Sequence, residues 1–155
     1  MSQSRQGEVV RIWLKRFKRG PMDPVMFAEA IAGRGLVNNK DQGGRRQITI
    51  LDEARWKEAC DEIAVDVDPS ARRANVMLRG IELYGMRGKL LRIGKCVVRI
   101  YNETRPCERM DEAQQGLREA LKPQWRAGAY GEIVESGVIA AGDVAEWIEE
   151  VNDEA

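Results

Sequence analysis

At 155 residues with 43% apolar content, the chain is long enough to bury one core and too apolar for a disordered segment, so one domain is expected over 1–155, with its core at about 7–150. It has no histidine and three cysteines, Cys60, Cys96 and Cys107, with no CxxC spacing. This excludes Ser-His and Cys-His dyads and HExxH zinc sites, and neither a zinc knuckle nor a disulfide framework is indicated. The net charge of zero is uneven: +6 over residues 1–50, +2 over 51–110 and −8 over 111–155. A basic front half suits an anionic partner and an acidic tail suits solvation, and with no RNP, zinc-finger or helix-turn-helix pattern a nucleic-acid partner is not favoured.

The opening MSQSRQGEVVRIWLKRF alternates charged and apolar residues where a signal peptide needs an unbroken apolar stretch, and no later run is long enough to span a bilayer. A cytoplasmic protein without a membrane partner is expected. Residues 7–17 read as a first strand, rich in β-branched and aromatic residues, which GPMDPV breaks with two prolines. FAEAIA is a short apolar piece. GRGLVNNKDQGGRRQ, residues 33–47, has no hydrophobic period and reads as a long loop before the short strand QITIL.

Residues 52–64 read as a helix capped by Asp52, with Trp56, Ala59, Cys60 and Ile63 on one face, which makes Cys60 a packing residue. VDVDPSARR is turn-rich, and ANVMLRG follows as a strand. GKLLRIGKCVVRIYN reads as a hairpin turning at Gly94-Lys95, with Cys96, Val98 and Ile100 sharing a face, so Cys96 also packs. A helix is expected over about 109–121 with the stripe Met110, Ala113, Leu117 and Leu121. Small strands separated by glycine turns close the chain. Many short strands with two or three helices predict a mainly β, α+β fold, a barrel or curled sheet with helices outside.

Two features carry chemistry. Cys107, in RPCERM, follows the strand VVRIYNE at a helix entrance between Arg105 and Arg109, surroundings that favour thiolate over thiol. The bland alternative is a semi-buried capping cysteine. The second feature is cationic: Lys40, the pair Arg45-Arg46 after Gly43-Gly44, and the pair Arg72-Arg73 with Asn75 two residues on. Adjacent loop arginines are commonly just solvated, but two such pairs each precede a strand, and arginine forks suit phosphate and carboxylate. The tail, including Glu149, Glu150 and Glu154, is expected to stay off the ligand surface because its charge repels an anion.

The order RRANVMLRGIEL, GKLLRIGKCVVRI, RPCERM and GAYGEIVESGVIAAGD resembles the MOSC domain, the family named from the C-terminal part of molybdenum cofactor sulfurases. The resemblance covers about residues 7–150 and suggests a small stand-alone member. It implies a β-barrel surrounded by a few α-helices, which binds a molybdenum-pterin cofactor (molybdopterin) and in some members handles sulfur. The matching cysteine is Cys107, expected as a molybdenum ligand, as in the amidoxime-reducing members, or as a persulfide carrier. Arg72 and Arg73 match an arginine-rich element before a barrel strand, suited to a cofactor phosphate. Asn38-Asn39 stands where many members have Gly-Asp and then a histidine. A cofactor binder or sulfur carrier, working with a partner enzyme in sulfur or electron transfer, tolerates that change better than a complete oxidoreductase. From the residues themselves, a non-catalytic module using a basic groove for another anion or a protein stays open, as does whether the protein is an enzyme.

Overall fold

The computed structural model describes residues 5–148. Strand β1 (Gln6–Lys15) pairs on one side with β6 (Val76–Arg79) and on the other with β11 (Val144–Ile148). From β11 the ladder runs through β7 (Leu90–Ile93), β8 (Cys96–Glu103), β9 (Ala129–Glu135) and β5 (Ile48–Asp52) back to β6, which closes a seven-stranded barrel. The expected barrel is therefore present, with helices on its outside.

Side-chain alternation divides the barrel wall between two cores. Ile48 and Ile50 of β5 and Val76 and Leu78 of β6 point into the barrel, while Leu51 and Met77 point outward. In β1 a register shift between Val9 and Arg11 changes the parity, so Val9 and Ile12 both face inward and Trp13 faces out. The outward residues form a second core with Trp56, Ala59 and Cys60 of α1 (Glu53–Glu62) and with Met110, Leu117 and Leu121.

The pair β5–β6 is parallel, and α1 provides the crossover between them. Asp52 caps α1 as expected, its carboxylate accepting from the backbone N–H of Ala54 at 3.0 Å and Arg55 at 3.4 Å. The predicted helix at 109–121 is instead two short ones, α2 (Glu108–Ala113) and α3 (Leu117–Ala120). Gln114 is extended and Gly116 sits at φ 89°, so the chain turns, and Ala113 is exposed while Ala120 takes its place in the core.

The proline-bearing segment and the apolar piece after it are strands, β2 (Met22–Val25) and β3 (Phe27–Ile31). Among the described residues strand β2 pairs only with β1, and an edge strand accommodates Pro24. Strand β3 lies between β4 (Gly35–Leu36), a two-residue strand inside the expected loop, and β10 (Gly137–Ala140). The hairpin turn is at Gly94, φ 58°, where a Cβ would collide with the Asp143 carboxylate.

Asn75 joins four segments at the end of the barrel where β6 begins. Its Oδ1 accepts from the Thr49 N–H and hydroxyl, each at 3.1 Å, and its Nδ2 donates to the Trp13 carbonyl and to Asn39 Oδ1, each at 3.2 Å. Asn75 is 4% exposed, so these bonds have no water to replace them. Asn75→Ala is expected to lower stability by about 1–3 kcal/mol or more, the cost of leaving a buried polar group unpaired. An unchanged urea midpoint would remove Asn75 from that role.

Candidate functional site

The end of the barrel held by Asn75 opens on a cleft of about 150 Å³ lined by residues from the end of β1, the approaches to β5 and β6, and the chain leaving β8. Cys107, Arg46, Arg72, Arg73 and Asn75 all line it. Residues far apart in sequence are thus brought together as the loop pattern suggested. Lys40 and Arg45 do not line it. Lys40 is exposed, with Nζ 3.9 Å from Asp41, and the Arg45 guanidinium lies over the Tyr101 ring at 5.8 Å.

Each cation is held differently. Pro69–Arg72 form a 3-10 turn capped by Asp68, and Arg73 ends it in the left-handed conformation at φ 64°, ψ 33°. This unusual backbone turns consecutive arginines apart. Arg72 Nε donates to the Ala127 carbonyl at 2.6 Å, and Arg73 Nη2 donates to the Gly20 carbonyl at 2.5 Å. Arg46 lies over the Tyr130 ring at 5.1 Å. Among the described residues, Arg46, Arg72, Arg73 and Arg109 form no ion pair.

Arg72 retains some contact with the cleft, but protein surrounds its guanidinium. Desolvation, with a smaller push from Arg46, lowers its pKa to about 10, while a charged Cys107 would oppose the shift. Arg72 stays a cation at neutral pH, and burial without a carboxylate partner opposes the charged form in the folded state.

Cys107 is exposed, at the N-cap position of α2, and its side chain makes no capping hydrogen bond. The helix is only six residues long, so the flanking cations, not the helix dipole, give the thiol its setting. Three residues earlier, Thr104 is buried and its hydroxyl donates to the Ala127 carbonyl at 2.6 Å. One carbonyl oxygen therefore fixes both Arg72 and the chain entering RPCERM. Cys60 and Cys96 are buried packing residues, and burial raises both thiols, Cys96 to about 12.

Asn75 lines the cleft with its amide already spent on internal bonds, so it shapes the wall. The residues that sequence reasoning did not place here include the polar Lys15, Asn39, Asp41, Thr49 and Thr104 and the apolar Ala74 and Met110. Lys15 carries a partner, with Nζ 3.6 Å from Asp41, and its backbone N–H donates to Asn39 Oδ1 at 2.9 Å. Arg109, read beforehand only as a neighbour of the thiol, lines the cleft, whereas Arg105 does not. Among the described residues no three His, Cys, Asp or Glu side chains converge to hold a metal ion, and Cys107 is the one thiol that lines the cleft, beside the buried thioether of Met110. Glu149, Glu150 and Glu154 lie outside the described residues. No described helix is long and apolar enough to cross a membrane.

The model of the MOSC domain matches residues 38–146, more than half the chain and all of the cleft except Lys15. No curated protein gives a significant sequence match. The fold is similar to that of YuaD from Bacillus subtilis, with a TM-score of 0.76 at 17% identity, covering 94% of this chain and 97% of that one. YiiM from Escherichia coli superposes with a TM-score of 0.70 at 14% identity, covering 96% of this chain and 72% of YiiM. YiiM from Geobacillus stearothermophilus gives 0.67 at 16% identity over 91% and 73%.

Two outcomes follow from the cleft. In the native protein Cys107 is expected to alkylate first, with Cys96 unlabelled at pH 8, as read by mass spectrometry over a time course. Faster labelling of Cys60 or Cys96 would contradict the assignment of the reactive thiol. Arg72→Met is expected to leave ligand-free stability equal or higher below about pH 10, where the desolvated charge opposes folding in the native chain. That difference should fade as the pH rises from the folded pKa towards the ordinary arginine value. A loss of stability at neutral pH would show that Arg72 is needed for folding itself.

Proposed function

The chain belongs to the MOSC domain family, and from that premise we propose that it binds the phosphate end of a molybdenum-pterin cofactor in the cleft at the barrel end, with Cys107 as the soft ligand or sulfur carrier. The family is associated with molybdenum cofactor binding and sulfur transfer. The observation that carries the reading is a desolvated Arg72 without a carboxylate partner, in the same small cleft as an exposed thiol and three further arginines, Arg46, Arg73 and Arg109. These residues fit such a group, which carries a terminal phosphate and a thiophilic metal.

Arg72 and Arg73 would hold the phosphate, with Arg46 and Arg109 adding to the positive field. The arginines would arrive preorganised, because Ala127 and Gly20 already fix two of them. Cys107, as the thiolate, would donate to molybdenum or hold a sulfane sulfur. When bound, the cofactor supplies oxygen- or sulfur-transfer chemistry at the metal. Thr104, Thr49 and Asn75 set the floor of the cleft. The setting is a cytoplasmic one, with a partner enzyme giving or receiving the sulfur or electrons, and the whole chain acts as one domain.

The two roles should separate in variants. Loss of one charge-assisted contact costs about 1.5–3 kcal/mol, roughly ten- to a hundredfold in affinity. Arg73→Ala is therefore expected to weaken binding of a pterin phosphate by about that factor. Cys107→Ser is expected to keep phosphate binding but lose bound molybdenum or persulfide after expression in a molybdenum-replete host. Metal analysis and calorimetry measure these separately. Retained metal in Cys107→Ser would remove the thiol from the site. Unchanged affinity in Arg73→Ala would favour the module that holds some other anion or a protein.

A further inference from the structure

The inner cleft of about 150 Å³ falls below the range of about 300–1,000 Å³ typical of small-molecule sites. It has room for a phosphate-sized anion but not for a fused ring system. Arg73 and Arg109 also line a second, open groove of about 860 Å³, so the two spaces share a wall. The groove's other walls are Arg19, Met22, Ser70 and Ala71 on one side and the α2 residues Glu108, Glu112 and Ala113 on the other.

The charges in this groove are unusual in one respect. Among the described residues, the side chains of Glu108, Glu112, Arg19 and Arg109 form no ion pair or hydrogen bond, although both signs line one space. Glu108 and Glu112 are at i and i+4, one above the other on a six-residue helix. Glu108 in the first turn suits the helix N-terminus, but Glu112, in the last turn and facing a like charge, gains nothing from local helix stability. They also lie beside a cationic cleft, where an anion entering alone is better served by neutral walls. Glu112, within the acidic 111–155 segment, thus lies in a groove that shares a wall with the cationic cleft.

We propose that the outer groove seats the ring end of the ligand whose phosphate occupies the inner cleft, with Glu112, backed by Glu108, accepting the paired N–H donors of a 2-amino-4-oxo heterocycle. The proposal rests on the phosphate reading of the inner cleft and adds the recognition of the opposite end. A pterin carries its 2-amino group beside a ring N–H, and the two parallel donors match the two oxygens of one carboxylate. Glu112 is five residues beyond Cys107, about 7 Å along a helix axis, on the scale of a fused two-ring heterocycle. Arg73 and Arg109, at the junction, meet the anion, and the carboxylates select for a donor edge farther out.

The test uses three probes on the whole protein: a 6-substituted pterin phosphomonoester, the matching lumazine phosphomonoester with oxygen in place of the 2-amino group, and glycerol phosphate. Affinities come from fluorescence for the ring compounds and calorimetry for glycerol phosphate. The native protein is expected to prefer the pterin over the lumazine by about ten- to a hundredfold. Glu112→Gln and Glu108→Gln/Glu112→Gln should lose that preference while binding glycerol phosphate as well as before or better. Melting temperatures should not fall, since both side chains are exposed and their mutual repulsion is removed. Equal binding of pterin and lumazine by the native protein overturns the proposal, as does a preference retained in the double variant. Failure of the native protein to bind even glycerol phosphate overturns the phosphate reading and the ring assignment with it, a result distinct from phosphate binding without ring selection.

Discussion

A single carbonyl oxygen, that of Ala127, organises the end of the barrel. It accepts from Arg72 Nε and from the Thr104 hydroxyl, both at 2.6 Å. The first bond ties down the crossover from α1, and the second ties down the chain leaving β8. Both donors would otherwise be polar groups in poor contact with water, so the acceptor offsets two desolvation costs at once. The result is a thiol and a guanidinium held in one cleft by a backbone atom from a third segment, with no side-chain ion pair needed to place them.

Ala127 can serve this way because its neighbourhood is irregular. Gln124 and Trp125 both have positive φ, at 53° and 57°, in a short 3-10 turn after Pro123. Such conformations are costly for non-glycine residues. Surrounding contacts offset them: Trp125 meets Tyr84 edge to face at 6.4 Å, and Arg126 donates to the Ala120 carbonyl at 2.9 Å. Strain in the turn and preorganisation at the cleft thus belong to the same few residues.

Much of the barrel was legible in the sequence because its strands carry a period of two and its turns carry glycine. Cys96, Val98 and Ile100 are inward, as the alternation implied, and Trp56, Ala59 and Cys60 share the buried face of α1. Strand β2 was hidden because proline reads as a break unless the strand is known to be an edge, which is a property of the whole sheet. The split of the second helix was hidden because Met110, Leu117 and Leu121 do fall at helical spacing, and only tertiary packing shows that the chain turns at Gln114 between them. For the site, the pairing of Arg72-Arg73 with Cys107 could be foreseen from loops that precede and follow strands. Lys15 and Thr104 could not, because each sits at a strand end with no local signal, and only closure of the barrel brings them to the cleft. Glu112 was read with an acidic tail by composition, although its helix faces the basic half.

Closure of the barrel through β1 and β11 leaves β2 as an outlying ribbon with no strand on its outer side among the described residues. Such an edge is a template on which another chain can add a strand, the first step towards ordered self-association. Pro24, aligned with Trp13 in the middle of that ribbon, has no N–H to offer and interrupts the edge with its ring. The residue that made the segment hard to recognise as a strand therefore also guards the sheet against recruiting its own copies.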